Sequence, residues 1–305
     1  MERFMQINFD LGPAQPPITP EKITEMIHWV PRRFRLCDFD QPLKAPGEMG
    51  PKQQDWNLRF PFEETFIPAF EEMCSVDHVP FSTRSTASFT FLKQVTDKDI
   101  EGVKTFLQTL APFVAIRDCL AISFAIEYDR ENGNPSAPQT HIGRLRSLAK
   151  PYDKKPTLET YSAADKLAQE CVMAIHKLTC YNSATCIVAM PPSDPEKLFD
   201  LPKHLATQIA TALNKPDKSD KAKTVRVRPG NKGLPCDKKL PNIEGTVEVS
   251  GDAFKDEIVL LIDDLYQSGV TMNYVAMLLL DAGAKKIFGL SCEKTCSNDD
   301  NVSRR

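Results

Sequence analysis

The stretch "EIVLLIDDLYQSGVTMNYVAMLLLDAGAKKIFGL", residues 257–290, joins an apolar run to two carboxylates, a small polar loop and a second apolar pattern. Residues 258–262 are branched and apolar at every position, as a central parallel strand covered on both faces requires. Met272, Val275, Ala276 and Leu279 then recur at helical spacing, and Gly283 stands where that helix ends before the strand "KIFGL". Asp263 to Thr271 are therefore expected to form a loop at the carboxyl end of a strand, opening a helix. In open α/β sheets ligands bind at that place.

The loop has two chemistries. Small residues at Ser268, Gly269 and Thr271 let backbone N–H groups converge on an anion, with the helix start adding a favourable field and two hydroxyls adding donors. Asp263 and Asp264 would repel that anion, so the ligand needs hydroxyl donors, or a metal, a few ångströms from its phosphate. Ribose 5-phosphate meets both demands. Capping of the helix by an Asp is the simpler alternative for an isolated pair. The apolar run, the small-residue loop and the downstream "DAGAKKI" in one register favour the ligand.

Working outward, the 305 residues suffice for two domains or for one with a large extension. Apolar residues at 41% and charged residues at 26% exclude a wholly disordered or fibrous chain. A formal charge of -3 gives no global attraction to nucleic acid or an anionic membrane. No apolar run is long enough to cross a bilayer, and "MERFMQINFD" has no secretory pattern, so a cytoplasmic protein without membrane contact is expected. Nine scattered cysteines without a C-x-x-C pair point to buried thiols in a reducing compartment, Cys171, Cys180 and Cys186 included.

Thr19 and Pro20 open a helix expected over residues 20–30, ended by Pro31. Pro, Gly and charged clusters to about residue 80 suggest loops, and "PRRFR" at 31–35 reads as a solvated turn. A strand "TRSTASFTFLK", a helix carrying Ile100, Val103, Phe106, Leu107 and Leu110, and a strand "CLAISFAIEY" form a small N-terminal α/β region. Residues 129–140 read as a linker, which puts a domain boundary near residue 138 and divides the chain into 1–138 and 139–305. Beyond it, helices at about 161–179 and 201–213 alternate with the strand "ATCIVAMPPS" and the opening stretch. That alternation predicts a central parallel sheet flanked by helices. Residues 215–239 hold nine Lys or Arg against three Asp, which alone reads as a solvated loop. His141, His176 and His204 stand at no spacing that marks catalysis.

"VLLIDDLYQSGVT" resembles the signature of type I phosphoribosyltransferases, and with Tyr266 and "LLLDAGAKKIFGLSCEKT" it is most similar to the bacterial ComF-type branch. "HIGRLRSLAKPYDKK", "CIVAMPPS" and "VRVRPGNKGLPCDKKLPNIEGTVEV" extend the likeness over about residues 139–305, while the N-terminal half matches no family segment. The resemblance implies the type I phosphoribosyltransferase fold, a glycosyltransferase activity, phosphoribosyl pyrophosphate as ligand, magnesium as cofactor without direct protein ligands, and an unidentified nitrogen acceptor. It implies that Asp263 and Asp264 hold the ribose and act in catalysis, and that Tyr266, Gln267, Ser268, Gly269, Val270 and Thr271 grip the 5-phosphate. Gln267 departs from the usual Thr or Ser, which removes one hydroxyl contact. Pyrophosphate is expected at Pro192 and Ser193, with Arg226, Arg228, Lys238 and Lys239 as mobile cations, although an ordinary turn and a solvated loop are the bland readings of these segments. Residues 141–155 and 294–301 are expected to read the acceptor. Two alternatives stand beside the enzyme: a non-catalytic sensor of phosphoribosyl pyrophosphate or a nucleotide, and an accessory protein of DNA uptake or phage defence with a protein or nucleic-acid partner on its N-terminal half. A homodimer is compatible with each.

Overall fold

The computed structural model describes residues 14–29, 32–35, 56–60, 62–73, 83–86, 89–95, 100–151, 155–228 and 234–296. In chain order the elements are α1 (Pro20–Met26), β1 (Arg33–Arg35), β2 (Trp56–Phe60), α2 (Phe66–Met73), β3 (Thr83–Thr86), β4 (Phe89–Val95), α3 (Ile100–Leu110), β5 (Val114–Ile116) and β6 (Ile122–Tyr128). They continue with α4 (His141–Ala149), α5 (Leu158–Lys177), β7 (Cys186–Ala189), α6 (Leu201–Leu213), β8 (Ala222–Thr224), α7 (Cys236–Ile243), β9 (Val247–Val249), β10 (Ile258–Tyr266), α8 (Val270–Asp281) and β11 (Lys286–Lys294).

The main sheet has the order β1-β5-β6-β11-β10-β7. β6, β11, β10 and β7 run parallel, as expected, but β5 lies antiparallel to β6 and β1 antiparallel to β5. The sheet is thus mixed. The short connection 117–121 allows only an antiparallel return, because a parallel crossover needs a dozen residues or more. β2, β4 and β3 form a separate antiparallel sheet, and β8 and β9 a third.

β10 alternates between two apolar layers. Ile258, Leu260 and Ile262 pack on the side of α2 to α6, while Val259 and Leu261 pack on the side of α1, α7 and α8. That two-sided burial accounts for the unbroken apolar run. The N-terminal strands lie in the same layers: Phe124 of β6 joins the first and Ala125 the second. The sheet therefore crosses residue 138, since β6 pairs with β11 from Phe288↔Ile122 to Lys294↔Tyr128.

Several local expectations change. α1 is capped by Thr19 as read, but it ends at Met26. "TRSTASFTFLK" forms two antiparallel strands, β3 and β4, instead of one. β6 begins only at Ile122, because Asp118 accepts a hydrogen bond from the Leu120 N–H at 3.0 Å and turns the preceding segment. Residues 129–140 are an ordered turn closed by an Arg130↔Gln139 bridge, with Thr140 capping α4. Cys119, Cys171, Cys180, Cys186, Cys292 and Cys296 are buried free thiols, which agrees with the structural reading of the cysteines. Among the described residues no helix is long and apolar enough to cross a membrane.

Cutting the chain at residue 138 leaves β11 with an unpaired parallel edge and removes Phe124 from one layer and Ala125 from the other. Residues 139–305 expressed alone are expected to aggregate and to lack a cooperative melting transition. Size-exclusion chromatography and calorimetry check this, and a monodisperse, cooperatively melting fragment would show that this part folds independently.

Candidate functional site

β7 ends at Ala189, opposite Ile262, while β10 continues to Tyr266 paired only with β11. The loop 190–193 leaves the sheet there and opens a crevice beside the last turn of β10. The acidic pair therefore lies inside a strand, not in the loop that follows it. The crevice is a pocket of ≈ 390 Å³, lined by Pro192, Ser193, Arg228, Asp263, Asp264, Gln267, Ser268, Gly269 and Thr271 among others. Its size suits a small metabolite.

Asp264 is 6% exposed and faces α4. Arg146 Nε donates to its Oδ2 at 2.8 Å and Lys150 Nζ to the same oxygen at 2.7 Å. Burial opposes the charge of Asp264, but Lys150 and Arg146 outweigh it and hold the carboxyl below the usual range. Arg146 also pairs with Glu293 at 2.8 Å, and burial pushes that carboxyl up to about 7 against the Arg146 charge. Asp263 accepts the Asp264 N–H at 2.8 Å. Burial, reinforced by the charge of Asp264, pushes the Asp263 carboxyl well above the ordinary value. One acid is ionised and locked. The other favours its neutral form.

Across the pocket, burial lowers the Arg228 guanidinium's pKa, while Asp263 opposes that shift. Arg228 donates to the Pro191 carbonyl at 3.3 Å and to Thr246 Oγ1 at 3.4 Å, and its backbone N–H bonds the Ser193 carbonyl at 3.1 Å. It thus ties the 191–193 loop to the β8–β9 side and leaves its charge beside the acids.

The loop after β10 turns at Gly269, whose φ of +79 favours glycine and which serves as N-cap of α8. A Cβ there would run into the Tyr266 ring. Tyr266 itself, expected at the phosphate, has its side chain 2% exposed and its hydroxyl donating to Asp118 at 3.0 Å. Tyr266 still borders the pocket, with its hydroxyl turned to Asp118. Val270 is likewise buried in the α8 layer.

The basic segment divides. Arg226 is exposed and donates to the Glu244 carbonyl at 3.2 Å, outside the pocket lining. Lys238 and Lys239 stand on α7, exposed and buried respectively, and neither lines the pocket. Among the expected cations only Arg228 lines the pocket. In their stead stand Lys150, at the end of α4, and Lys197. A further carboxylate, Asp200, caps α6 and lines the same cavity, and burial pushes it up to about 6 against the charge of Lys197. Arg146 and Lys150 stand four residues apart on one helix face, a spacing that could have revealed a paired cation site. His204 bonds Asp165 at 2.8 Å and lies outside the pocket, as does His141. Of the acceptor-reading segments, 152–154 and 297–301 fall outside the described residues, as do 229–233 of the basic loop.

No protein-family model and no curated protein sequence matches the chain. Among solved structures, phosphoribosylpyrophosphate synthetase from Mycobacterium smegmatis is similar at 14% identity and a TM-score of 0.30, over 77% of this chain and 78% of that one.

A raised Asp263 carboxyl adds stability below the ordinary pKa of about 4, and that contribution is lost as pH rises through the folded-state value. Asp263→Asn removes the charge that appears on this rise. The variant's melting temperature is expected to gain on wild type between about pH 5 and about pH 8. Calorimetry at both pH values checks the sign, and a constant or shrinking difference would contradict the assignment.

Proposed function

We propose that the pocket binds phosphoribosyl pyrophosphate and that the chain transfers its phosphoribosyl group to a nitrogen acceptor. The observation that carries this reading is one cavity holding, side by side, an acidic pair, a glycine-turned helix start and a buried guanidinium. In this reading the 5-phosphate rests on the loop from Gln267 to Thr271, the ribose hydroxyls donate to Asp263 and Asp264, and the pyrophosphate lies toward Pro192, Ser193 and Arg228. The sequence resemblance to type I phosphoribosyltransferases agrees with that placement.

The residues suit magnesium carried on ligand oxygens. Among the described residues no cluster of three or more His, Cys, Asp or Glu side chains could hold a metal. Asp264 is engaged by two cations, which leaves Asp263 as the member of the acidic pair able to approach it, and magnesium commonly takes one or two carboxylates plus phosphate oxygens. When bound, the ion offsets the charge of the departing pyrophosphate. The bond from C1 to the pyrophosphate oxygen breaks with its electron pair leaving on that oxygen, the acceptor nitrogen's lone pair forms the new bond, and the nitrogen sheds a proton. Asp264 and an ionised Asp263 offset positive charge on the ribose ring, while Arg228 and Lys150 offset negative charge at the leaving group.

A second reading, a sensor that binds without transfer, draws on the Asp264 ion pairs. A carboxylate already neutralised by Lys150 and Arg146 stabilises a cationic ring less than a free one does.

Titration calorimetry with phosphoribosyl pyrophosphate and magnesium tests the site. The Asp263→Asn, Asp264→Asn double variant is expected to bind about ten-fold or more weakly. Unchanged affinity would remove the ribose assignment. Pyrophosphate release with a panel of nitrogen heterocycles and nucleosides separates the two readings, since saturable binding without release supports the sensor.

A further inference from the structure

The segment "PRRFR", expected as a solvated turn, contains an arginine that is only 9% exposed. Arg32 Nη1 donates to the Ser268 carbonyl at 3.0 Å, and Nη2 donates to the Tyr266 hydroxyl at 3.3 Å. That hydroxyl donates in turn to Asp118, which is 1% exposed. Tyr266 and Ser268 flank the turn into α8, so one guanidinium holds both ends of the turn. Asn273, fully buried on α8, adds a second arm: its Nδ2 donates to the Gly269 carbonyl at 2.9 Å, while its Oδ1 accepts the Cys119 N–H at 2.8 Å.

Two successive carbonyls of the loop, Ser268 and Gly269, are thus bound by buried side-chain donors. In a planar trans peptide the C=O and the following N–H point in opposite directions. Drawing the Ser268 carbonyl toward Arg32, which is not among the pocket-lining residues, turns the Gly269 N–H away from Arg32, and Gly269 lines the pocket. With the peptide reversed, a carbonyl oxygen would face an anionic ligand and repel it. The positive φ of Gly269 lets the chain make this turn over the Tyr266 ring.

We propose that Arg32 is a positioning residue for phosphate: anchored on Asp118 through Tyr266, it fixes the Ser268–Gly269 peptide with its N–H toward the ligand's 5-phosphate. Arg32 acts through the backbone and does not touch the ligand. The N-terminal half thereby supplies part of the binding site. This inference rests on the phosphate-binding reading of the pocket and goes beyond it in assigning what orients the loop.

The test uses the full chain and two probes, ribose 5-phosphate for the loop and inorganic pyrophosphate for the 191–193 and Arg228 side. Arg32→Met is expected to weaken ribose 5-phosphate about ten-fold or more and to leave pyrophosphate affinity within about two-fold. Because Arg32→Met leaves Asp118 without its cation, the Arg32→Met, Asp118→Asn double variant is measured as well. It is expected to recover melting temperature while keeping the selective loss, and Arg32→Lys to recover part of the affinity through a single donor. Equal losses for both probes, or a folded Arg32→Met that binds ribose 5-phosphate as wild type does, would overturn the positioning role alone. Wild type failing to bind ribose 5-phosphate, phosphoribosyl pyrophosphate and pyrophosphate would overturn the proposed function and this inference with it.

Discussion

A central strand that outlasts its neighbour is the constraint on which the site depends. β10 is paired on both edges through Ile262, and beyond that point only β11 accompanies it. Its paired part needs apolar side chains on both faces, so it can carry no function of its own. Where β7 stops, the chain of β10 keeps its strand geometry from one side and gains an open edge on the other. Asp263 and Asp264 occupy that transition, held by a rigid ladder yet facing a cavity.

Charge in so buried a place follows a consistent logic. Two carboxylates, Asp264 and Glu293, share Arg146, with Lys150 as a second cation on Asp264. A core built for stability alone would more readily fill such space with apolar groups. The arrangement instead keeps one carboxylate ionised beside another poised toward its neutral form. A ligand bringing cations or hydroxyl donors would shift that balance.

The first half of the chain bears on the same chemistry from behind. β1, β5 and β6 extend the sheet, and residues 117–120 form the turn from which Asp118 and the Cys119 N–H reach the Tyr266 hydroxyl and Asn273. The loop between β10 and α8 is therefore clamped between a pocket and a polar network of which Arg32, Asp118 and Asn273 are buried members. In this arrangement Arg32, Asp118 and Cys119 support the loop and the start of α8 from more than a hundred positions away in sequence.

The strand, loop and helix over 257–290 were legible in the sequence, because side-chain period and glycine placement are local properties that survive any packing. So was the acidic pair, and the cap at Thr19 follows the same local rule. Only the tertiary structure decided which cations meet those acids. Lys238, Lys239 and Arg226 are near Asp263 in the basic run that precedes it, yet Arg146 and Lys150 reach Asp264 because α4 packs over the end of β10. Tyr266 shows the same limit: its place in the motif suggests a ligand contact, while its hydroxyl is committed to Asp118. Sequence determines what a segment prefers to be; the direction in which a side chain finally points depends on groups brought near by folding, and the segment's own pattern does not name them.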